Sequence, residues 1–284
     1  MCSYVPEDVM VSIFERLPIK FLLRFRSLSK YWYSRIASPE FIRNHPLRSD
    51  QKVLIRHLIK VTDVNFIDMY TLHSPSGYVK PGVELAHYRP DLDTVGSCNG
   101  IICLLEFGIS LWNFSIRRKL TLPRHPSFKD EISYPGKAAF GFGFDPVTDD
   151  YKVVAISYLK YTDGVAHNED SFIYSLKTNS WDSIISSPPT PFIHAWSKAC
   201  FFNGTLHWVV VGLVHEPPIE TSIIMTFNLF THAFGTISLP TSFGKRGQIT
   251  TINGSLALVS LKHGYNRIWV MSEYDNAKSW SVYL

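Results

Sequence analysis

The chain has 284 residues, a hydrophobic fraction of 45% and a formal net charge of +4. No run approaches the roughly 18 consecutive apolar residues of a membrane span, and the four cysteines lack the paired spacing of a disulfide framework. These features argue against a helical membrane protein and against a disulfide-built one. We expect a protein of the reducing cytoplasm, with the nucleus as a second compartment. The length allows one small module and one larger domain.

The first forty residues carry two apolar stripes at helical spacing. Pro6 is followed by two acidic residues and suits the first turn of a helix, where its missing N–H costs nothing. Val9, Ile13 and Leu17 recur every fourth residue, and a second stripe begins with Met10 about 100° around the helix. Such an arc is wider than one neighbour covers, and a segment this small cannot enclose a core. It predicts a partner; the alternative is a helical hairpin packed on the following domain.

Two further helix signals follow. Pro18 ends the first helix, and apolar residues from Phe21 to Ile36 resume a spacing of three and four, which predicts helix across residues 21–36. Ser38 before Pro39 is typical of an N-cap followed by proline at the first helical position, so another helix is expected there.

The same region is basic. Residues 16–60 contain eleven Lys or Arg against two Asp or Glu, a surplus of nine positive charges. Basic segments bind phosphate backbones, but no recognition-helix motif, zinc site or stacking platform accompanies this one. We therefore favour an acidic protein partner over a nucleic acid.

The amino-terminal segment closely resembles an F-box. The motifs that carry the resemblance are Val5-Pro6-Glu7-Asp8, Arg16-Leu17-Pro18, Leu22-Leu23-Arg24-Phe25-Arg26, Lys30-Tyr31-Trp32 and Ser38-Pro39-Glu40-Phe41. The resemblance implies a three-helix module over residues 1–46 that binds a Skp-family linker and, through it, a cullin-based ubiquitin ligase. The residues that it places at the linker interface are Val5, Pro6, Val9, Ile13, Leu17, Pro18, Leu22 and Leu23. Which stripe faces the linker and which faces the module's own core stays open.

From residue 52 onward the pattern changes to short strands. Ten runs rich in β-branched and aromatic residues are separated by turn residues, and no long helix intervenes. This predicts an all-β domain over residues 50–284, built from nearest-neighbour strand connections.

The strands repeat. Asn-Gly pairs at 99–100, 203–204 and 253–254 each precede an apolar run, which is a strong hairpin signal. A second marker is a strand, a polar turn and a closing apolar residue, found as Leu111 to Leu120, Tyr174 to Trp181, Phe227 to Phe234 and Met271 to Trp280. Periods near about 50 residues favour kelch-like blades of a β-propeller, four or five in number.

This region resembles the F-box-associated domain of plant F-box proteins, a group that includes the S-locus F-box proteins of pollen. The motifs are Ser97 to Cys103, Gly141 to Val154, Tyr174 to Trp181 and Phe202 to Trp208. The family usually continues beyond the strands near Trp269 and Trp280. We therefore expect either a propeller shortened at its carboxyl end or an unconventional closure, since an unclosed propeller exposes strand edges.

An enzyme is the rival hypothesis, because propellers host hydrolases. Asp145, Asp149 and Asp150 lie within six residues, but they stand where a hairpin must reverse and are interpreted as turn residues. On one extended strand Cys98 and Cys103 would face opposite sides, so they could not share a metal unless a bend intervenes. The histidines are scattered, and no nucleophile elbow or phosphate loop occurs. We predict no catalytic residue, metal or cofactor.

A carbohydrate-binding propeller is a further alternative. Three glycosylation sequons begin at Asn113, Asn203 and Asn253, and without a signal peptide they should stay unmodified. Two of the three coincide with the Asn-Gly turns, so they have a structural explanation.

The resemblance thus implies a target-recognition adaptor of a Skp-cullin-F-box ubiquitin ligase, with an S-ribonuclease as target if the S-locus interpretation holds. Target contacts are expected in three long connections, 161–170, 188–196 and 215–220, where scaffolds carry function. Each of these could equally be a plain solvated loop. The candidate target-binding residues are Tyr161, His167, Phe192, His194, His215 and Glu216.

Overall fold

The computed structural model describes residues 5–17, 19–38, 40–41, 53–60, 66–73, 83–84, 93–105, 108–114, 116–126, 138–157, 160–162, 165–167, 171–189, 197–215, 218–240, 242–243, 247–260 and 267–283. The chain divides into two compact units, Met1–Asp91 and Leu92–Leu284. The boundary predicted between residues 46 and 50 falls outside the described residues, so the domain limits 1–46 and 50–284 stay a prediction.

The described part of the amino-terminal segment contains α1 (Glu7–Glu15), α2 (Ile19–Phe25) and α3 (Lys30–Ile36), and residues 40–41 are again helical. Helix across 21–36 was expected to be continuous, but residues 26–28 form a turn. The reason is Ser29, whose hydroxyl accepts a hydrogen bond from the Trp32 amide at 3.1 Å and so caps a new helix. The predicted cap at Ser38 is confirmed, because its hydroxyl accepts from the Phe41 amide at 3.2 Å.

These helices enclose a small aromatic core. Phe14 is 2% exposed, and its ring lies 4.9 Å from that of Phe25 and 4.7 Å from that of Trp32. Leu22, Ile36 and Phe41 complete the buried set. Edge-to-face and offset aromatic contacts of this kind stabilise a core beyond their buried area.

A three-stranded antiparallel sheet belongs to the same unit. It has the order β1-β2-β3, with β1 (Val53–Lys60), β2 (Phe66–His73) and β3 (Val83–Glu84). The register pairs Val53 with His73 and Lys60 with Phe66, without a bulge.

The second unit contains, within the described residues, four four-stranded antiparallel sheets, which we call blades 1 to 4. Blade 1 has β4 (Asp93–Cys98), β5 (Ile101–Leu105), β6 (Ile109–Asn113) and β7 (Arg118–Thr121). Blade 2 has β8 (Ala138–Asp145) and β9 (Asp150–Ser157), then an inserted hairpin of β10 (Lys160–Thr162) and β11 (Val165–His167), then β12 (Ser171–Ser175) and β13 (Ser180–Ile184). Blade 3 has β14 (Cys200–Phe202), β15 (Thr205–His215), β16 (Pro218–Asn228) and β17 (Phe234–Ser238). Blade 4 has β18 (Gly247–Ile252), β19 (Ser255–Ser260), β20 (Ile268–Met271) and β21 (Trp280–Val282).

Each blade is a simple meander with its first strand at one edge. These first strands touch across blades, since β4 contacts β8, β8 contacts β14 and β14 contacts β18. The first strands therefore lie at the centre and the fourth strands at the periphery, which is the arrangement of a β-propeller. The predicted propeller is confirmed.

Both repeated sequence motifs occupy fixed positions in the strand pairing of the blades. All three Asn-Gly pairs join the first two strands of a blade, and both residues of each pair have positive φ, as Asn99 at 49° and Gly100 at 76° show. Such values match the two-residue hairpin turn that Asn-Gly favours. The second marker is also confirmed, because its opening and closing residues, such as Tyr174 and Trp181, are opposed pairs on the third and fourth strands in every blade.

Apolar layers between successive blades form the cores. Trp208 is fully buried between blades 2 and 3, and its indole N–H donates to the Phe140 carbonyl at 3.2 Å. A Cβ atom on Gly141 would lie 2.7 Å from the Trp208 ring, so glycine is required where blade 3 approaches the β8 backbone. The close packing predicted for this glycine-rich strand is confirmed.

Candidate partner-binding surfaces

The two stripes of α1 have different environments. Val5, Val9 and Ile13 are 46%, 44% and 47% exposed, whereas Met10 and Phe14 point into the aromatic core. Val9 and Ile13, four residues apart, lie on one face of α1, and the exposed Val5 comes just before the helix. We call these three residues the α1 stripe. The open question is thereby answered for α1: the Met10 stripe serves the module's own core, and the α1 stripe remains on the surface.

The rest of the predicted linker set is distributed differently. Pro6 is exposed beside the α1 stripe, and Leu17 packs partly against the core. Leu22 is only 5% exposed and lies inside the core. Pro18 lies outside the described residues; Leu23 belongs to α2, but its side chain is outside the described part.

Two contacts fix the orientation of α1. The Tyr31 hydroxyl donates to the Glu7 carboxylate and ties the start of α3 to the start of α1. Phe14 sits between the rings of Phe25 and Trp32. Because both contacts lie away from the α1 stripe, they hold the helix without covering it.

Sequence reasoning missed several exposed apolar side chains. Phe21, Leu28, Tyr31 and Tyr33 are 47%, 66%, 49% and 55% exposed, and the Arg26 guanidinium lies 4.4 Å from the centre of the Tyr33 ring. Aromatic residues are enriched in protein interfaces. Recognising Ser29 as a helix cap would have assigned α3 its own helical phase and revealed these positions.

Charge on the module is divided between two sides. A groove on one side is lined by Glu7, Asp8, Glu15 and Glu40, with Arg35 bound to Glu40 at 2.8 Å. That hydrogen bond raises the pKa of Arg35. Arg24 and Lys30 are exposed on α2 and α3, so the module offers both an acidic and a basic surface.

In the propeller, topology places the connections on two faces. Within a meander of antiparallel strands, the connections from first to second and from third to fourth strand lie at one end. The connections from second to third strand, and those leading to the next blade, lie at the other end, which we call the ribbon face. All three predicted target segments, 161–170, 188–196 and 215–220, arise on the ribbon face from blades 2 and 3.

Two of these segments contain strands where loops were expected. Tyr161 and His167 lie on the β10–β11 hairpin, which pairs Lys160 with His167. His215 ends β15 and faces Pro218 of β16. The side chains of Tyr161, His167 and His215 are outside the described part, and Phe192, His194 and Glu216 lie outside the described residues. The loop interpretation is corrected there because alternating residues extend the strand pairing almost to the tips.

The carboxylates considered for catalysis have structural partners. Asp145 is fully buried and accepts hydrogen bonds from the Val147 amide at 3.0 Å and the Lys152 ammonium at 2.8 Å. Burial raises the pKa of Asp145, but the hydrogen bonds from Lys152, Thr148 and Val147 outweigh it and hold the pKa below its usual value. Lys152 also donates to the Leu229 carbonyl at 2.8 Å and so joins blade 2 to blade 3.

The neighbouring carboxylates support the turn interpretation. Asp149 adopts a φ of 54° at the end of the β8–β9 turn. Asp150 accepts from the Ser175 hydroxyl at 2.6 Å and from the Lys177 amide at 3.0 Å. Sequence reasoning missed the ion pair of Asp145 with Lys152, although β8 and β9 are adjacent strands of one hairpin. The bond from Lys152 to the Leu229 carbonyl follows only from the fold.

The bend that could bring the two cysteines to one side is present. The turn at Asn99 places Cys98 on β4 and Cys103 on β5, and both lie in the layer between blades 1 and 2. Burial raises the pKa of both thiols, that of Cys98 to about 12. In the described part of the chain, no three His, Cys, Asp or Glu side chains group as metal ligands.

A buried histidine joins blades 3 and 4. His207 is fully buried, with Nε2 2.9 Å from the Tyr274 hydroxyl and Nδ1 3.2 Å from the Cys200 carbonyl. Burial lowers its pKa to about 4, and burial has the same effect on His125. These histidines are neutral core residues at neutral pH. No described helix has the length and apolar character needed to span a membrane.

Comparison with known proteins gives consistent matches. Residues 3–44 match the F-box domain, and residues 64–284 match the F-box associated beta propeller domain. The F-box protein CPR1 of Arabidopsis thaliana is 30% identical over 98% of this chain and 71% of its own length. An F-box/kelch-repeat protein of the same plant is 27% identical over 99% of this chain and 79% of its own.

A solved structure supports the fold. TolB from Acinetobacter baumannii superposes with a TM-score of 0.51 at 11% identity, covering 85% of this chain and 55% of TolB. At this identity the likeness concerns architecture alone.

Proposed function

Since the chain belongs to the F-box proteins that carry an F-box associated β-propeller domain, we propose that it is the target-recognition subunit of a Skp-cullin-F-box ubiquitin ligase. The helices α1, α2 and α3 form the three-helix module that binds the Skp-family linker. The propeller holds a target protein. The ligase supplies ubiquitin, so this chain acts as an adaptor without a catalytic residue of its own.

The α1 stripe is the observation that carries this proposal. Three aliphatic side chains, Val5 before α1 and Val9 and Ile13 on one face of it, stay 44–47% exposed although the same helix buries Phe14 in the module. A helix with an apolar face on the protein surface is suited to a partner's hydrophobic groove. The exposed tyrosines of α3 are of a residue type that is enriched among those dominating binding energy.

The mechanism of such an adaptor is proximity. Linker and target bind to different parts of one chain, so target lysines are held at a high effective concentration near the transfer site. The ribbon face is proposed to hold the target, because it gathers the longest connections of the propeller. An S-ribonuclease is the target if the chain belongs to the S-locus group, and the cytosol, with the nucleus second, is the proposed compartment.

An interface variant tests linker binding. Ile13→Asp places a charge in the α1 stripe and is expected to lower co-purification of a Skp-family linker at least about tenfold, because a buried unpaired charge is costly. Ile13→Val keeps an aliphatic side chain at the same position of the α1 stripe and should leave linker binding unchanged. Equal linker recovery with Ile13→Asp and wild type would refute the proposed interface.

A further inference from the structure

Blade 3 contains a two-stranded extension beyond its four-stranded part. Strands β15 and β16 pair over their full eleven residues, from Thr205–Asn228 to His215–Pro218. The outer strand β17 pairs with β16 only as far as Ile223–Ser238. Residues 218–222 of β16 therefore have β15 on one side and, among the described strands, no strand on the other. We call residues 211–215 and 218–222 the ribbon.

The chain after β17 turns instead of continuing along the ribbon. Leu239 is followed by Pro240, whose carbonyl accepts from the Phe243 amide at 2.9 Å in a reverse turn. Proline fixes φ near −65°, outside the range of a regular antiparallel strand. β17 therefore ends at this turn, and the ribbon projects past it on the ribbon face.

The alternating direction of N–H and C=O groups along β16 identifies which of them point outward. The Asn228 amide donates to the Ala233 carbonyl at 3.0 Å, so the Asn228 N–H points to the β17 side. In an antiparallel strand successive residues alternate sides, and the β16 register has no bulge. The N–H and C=O of Glu220 consequently point away from β15, along the unflanked edge.

An unflanked strand edge is a template for an additional strand. Proteins often protect such edges with lysine, proline or a bulge, as Arg118 and Lys119 do on β7 of blade 1. Pro218, at the tip of the ribbon, offers no N–H to this edge. Residues 219–222 have no lysine, proline or bulge, and threonine and isoleucine there favour extended backbone.

Charge indicates what kind of peptide suits this edge. The sequence from residue 211 to residue 222 contains two Glu and no Lys or Arg, on a chain whose net charge is +4. Electrostatic complementarity therefore favours a basic segment over an acidic one.

We propose that the Glu220 edge of the ribbon binds a basic, extended peptide segment of the target by strand addition. Backbone hydrogen bonds to Glu220 supply affinity, and alternate side chains of the incoming strand supply specificity. The inference deepens the proposed adaptor function by naming the target's chemistry, and it rests on that function.

Two variants of one residue separate backbone pairing from charge. Glu220→Pro removes the outward N–H and places a ring where the incoming strand would lie, while the pairing of β16 with β15 does not use that N–H. Glu220→Gln removes the charge and keeps the N–H. The probe is a short fluorescein-labelled peptide of alternating valine and lysine, measured by fluorescence anisotropy on the full chain bound to its linker. Amide hydrogen exchange of residues 219–222 is followed in the same samples.

The expected result is binding to the wild-type chain with protection of residues 219–222, at least about tenfold weaker binding to Glu220→Pro, and a smaller loss, about twofold to threefold, with Glu220→Gln. A valine-glutamate peptide, and the valine-lysine peptide with alternate N-methylated amides, should both bind at least about tenfold more weakly. Unchanged anisotropy with Glu220→Pro, or protection elsewhere on the chain, would overturn the proposal.

Two controls keep the interpretation clear. Linker co-purification should be the same for wild type and Glu220→Pro. If Glu220→Pro loses peptide binding but retains the linker, the loss concerns the ribbon alone. If the wild-type chain binds no linker, the adaptor function is refuted. A third outcome is that the amides of residues 219–222 are protected from exchange without peptide, lose this protection on dilution, and the chain sediments as a dimer. In that case the edge pairs with a second copy of the chain, and the peptide proposal is wrong.

Discussion

The helical module and the propeller differ in how much apolar surface they leave exposed. The module buries few large side chains, with Phe14 at the centre, and leaves Val9 and Ile13 nearly half exposed. In the propeller, neighbouring blades cover each other, and side chains as large as Trp208 and Tyr174 are fully buried. Stability is therefore expected to depend on a partner in the first region and to be built in between the blades of the second.

The largest effect on stability is expected from a substitution of Phe14 in the helical module. Phe14→Ala should destabilise the helical module by about 4 kcal/mol, since it removes the ring packed between Phe25 and Trp32. A core of this size cannot absorb such a loss, so helical circular dichroism and linker binding should both fall. Ile13→Ala, on the exposed stripe, should change the free energy of unfolding of the module by less than about 1 kcal/mol. Equal destabilisation by both substitutions would show that the two stripes do not differ.

A smaller effect is expected from the buried ion pair of the propeller. Lys152→Met should lower the free energy of unfolding of the propeller by about 3 kcal/mol, because it leaves the Asp145 carboxylate buried without its cation and frees the Leu229 carbonyl. Urea unfolding followed by tryptophan fluorescence measures this. Adding Asp145→Asn to Lys152→Met should recover part of the loss, and absence of any recovery would argue against the pairing as its cause.

The smallest effect concerns pH. His125 and His207 have pKa values of about 4 in the folded chain against an ordinary value of 6.5. Because the folded-state pKa is the lower one, the unfolded chain takes up protons first as the pH falls. The stabilisation is complete above pH 6.5 and declines toward pH 4, by about 2 kcal/mol per histidine at pH 5.

Unfolding titrations between pH 7 and pH 5 test this expectation. His207→Gln should give a shallower decline than wild type, since one of the two depressed groups is gone. A decline of the same slope in both proteins would assign the pH dependence to other groups.

Much of the fold could be predicted because the relevant signals are local. Asn-Gly turns specify φ > 0 at adjacent residues, and a closing residue such as Trp181 stands opposite Tyr174 because hairpin register follows from turn length. The break before α3 was missed although it is also local, because apolar spacing continued through the Ser29 cap. Periodicity alone cannot show a break that preserves the phase of the pattern.

The candidate surfaces were harder to predict. Which α1 stripe is exposed depends on where α2 and α3 pack, and this is a tertiary contact rather than a pattern. The second hydrogen bond of the Lys152 ammonium goes to a carbonyl 77 residues away, which local sequence cannot reveal. The target segments were located as connections, but their common face follows only from the order of the strands within each blade.

The ribbon has an evolutionary consequence. It lies past the last pair of β16 with β17, so changes at residues 218–222 leave the pairing of those two strands as it is. A lineage of such chains can acquire new recognition preferences by altering this edge while the architecture beneath it is inherited unchanged.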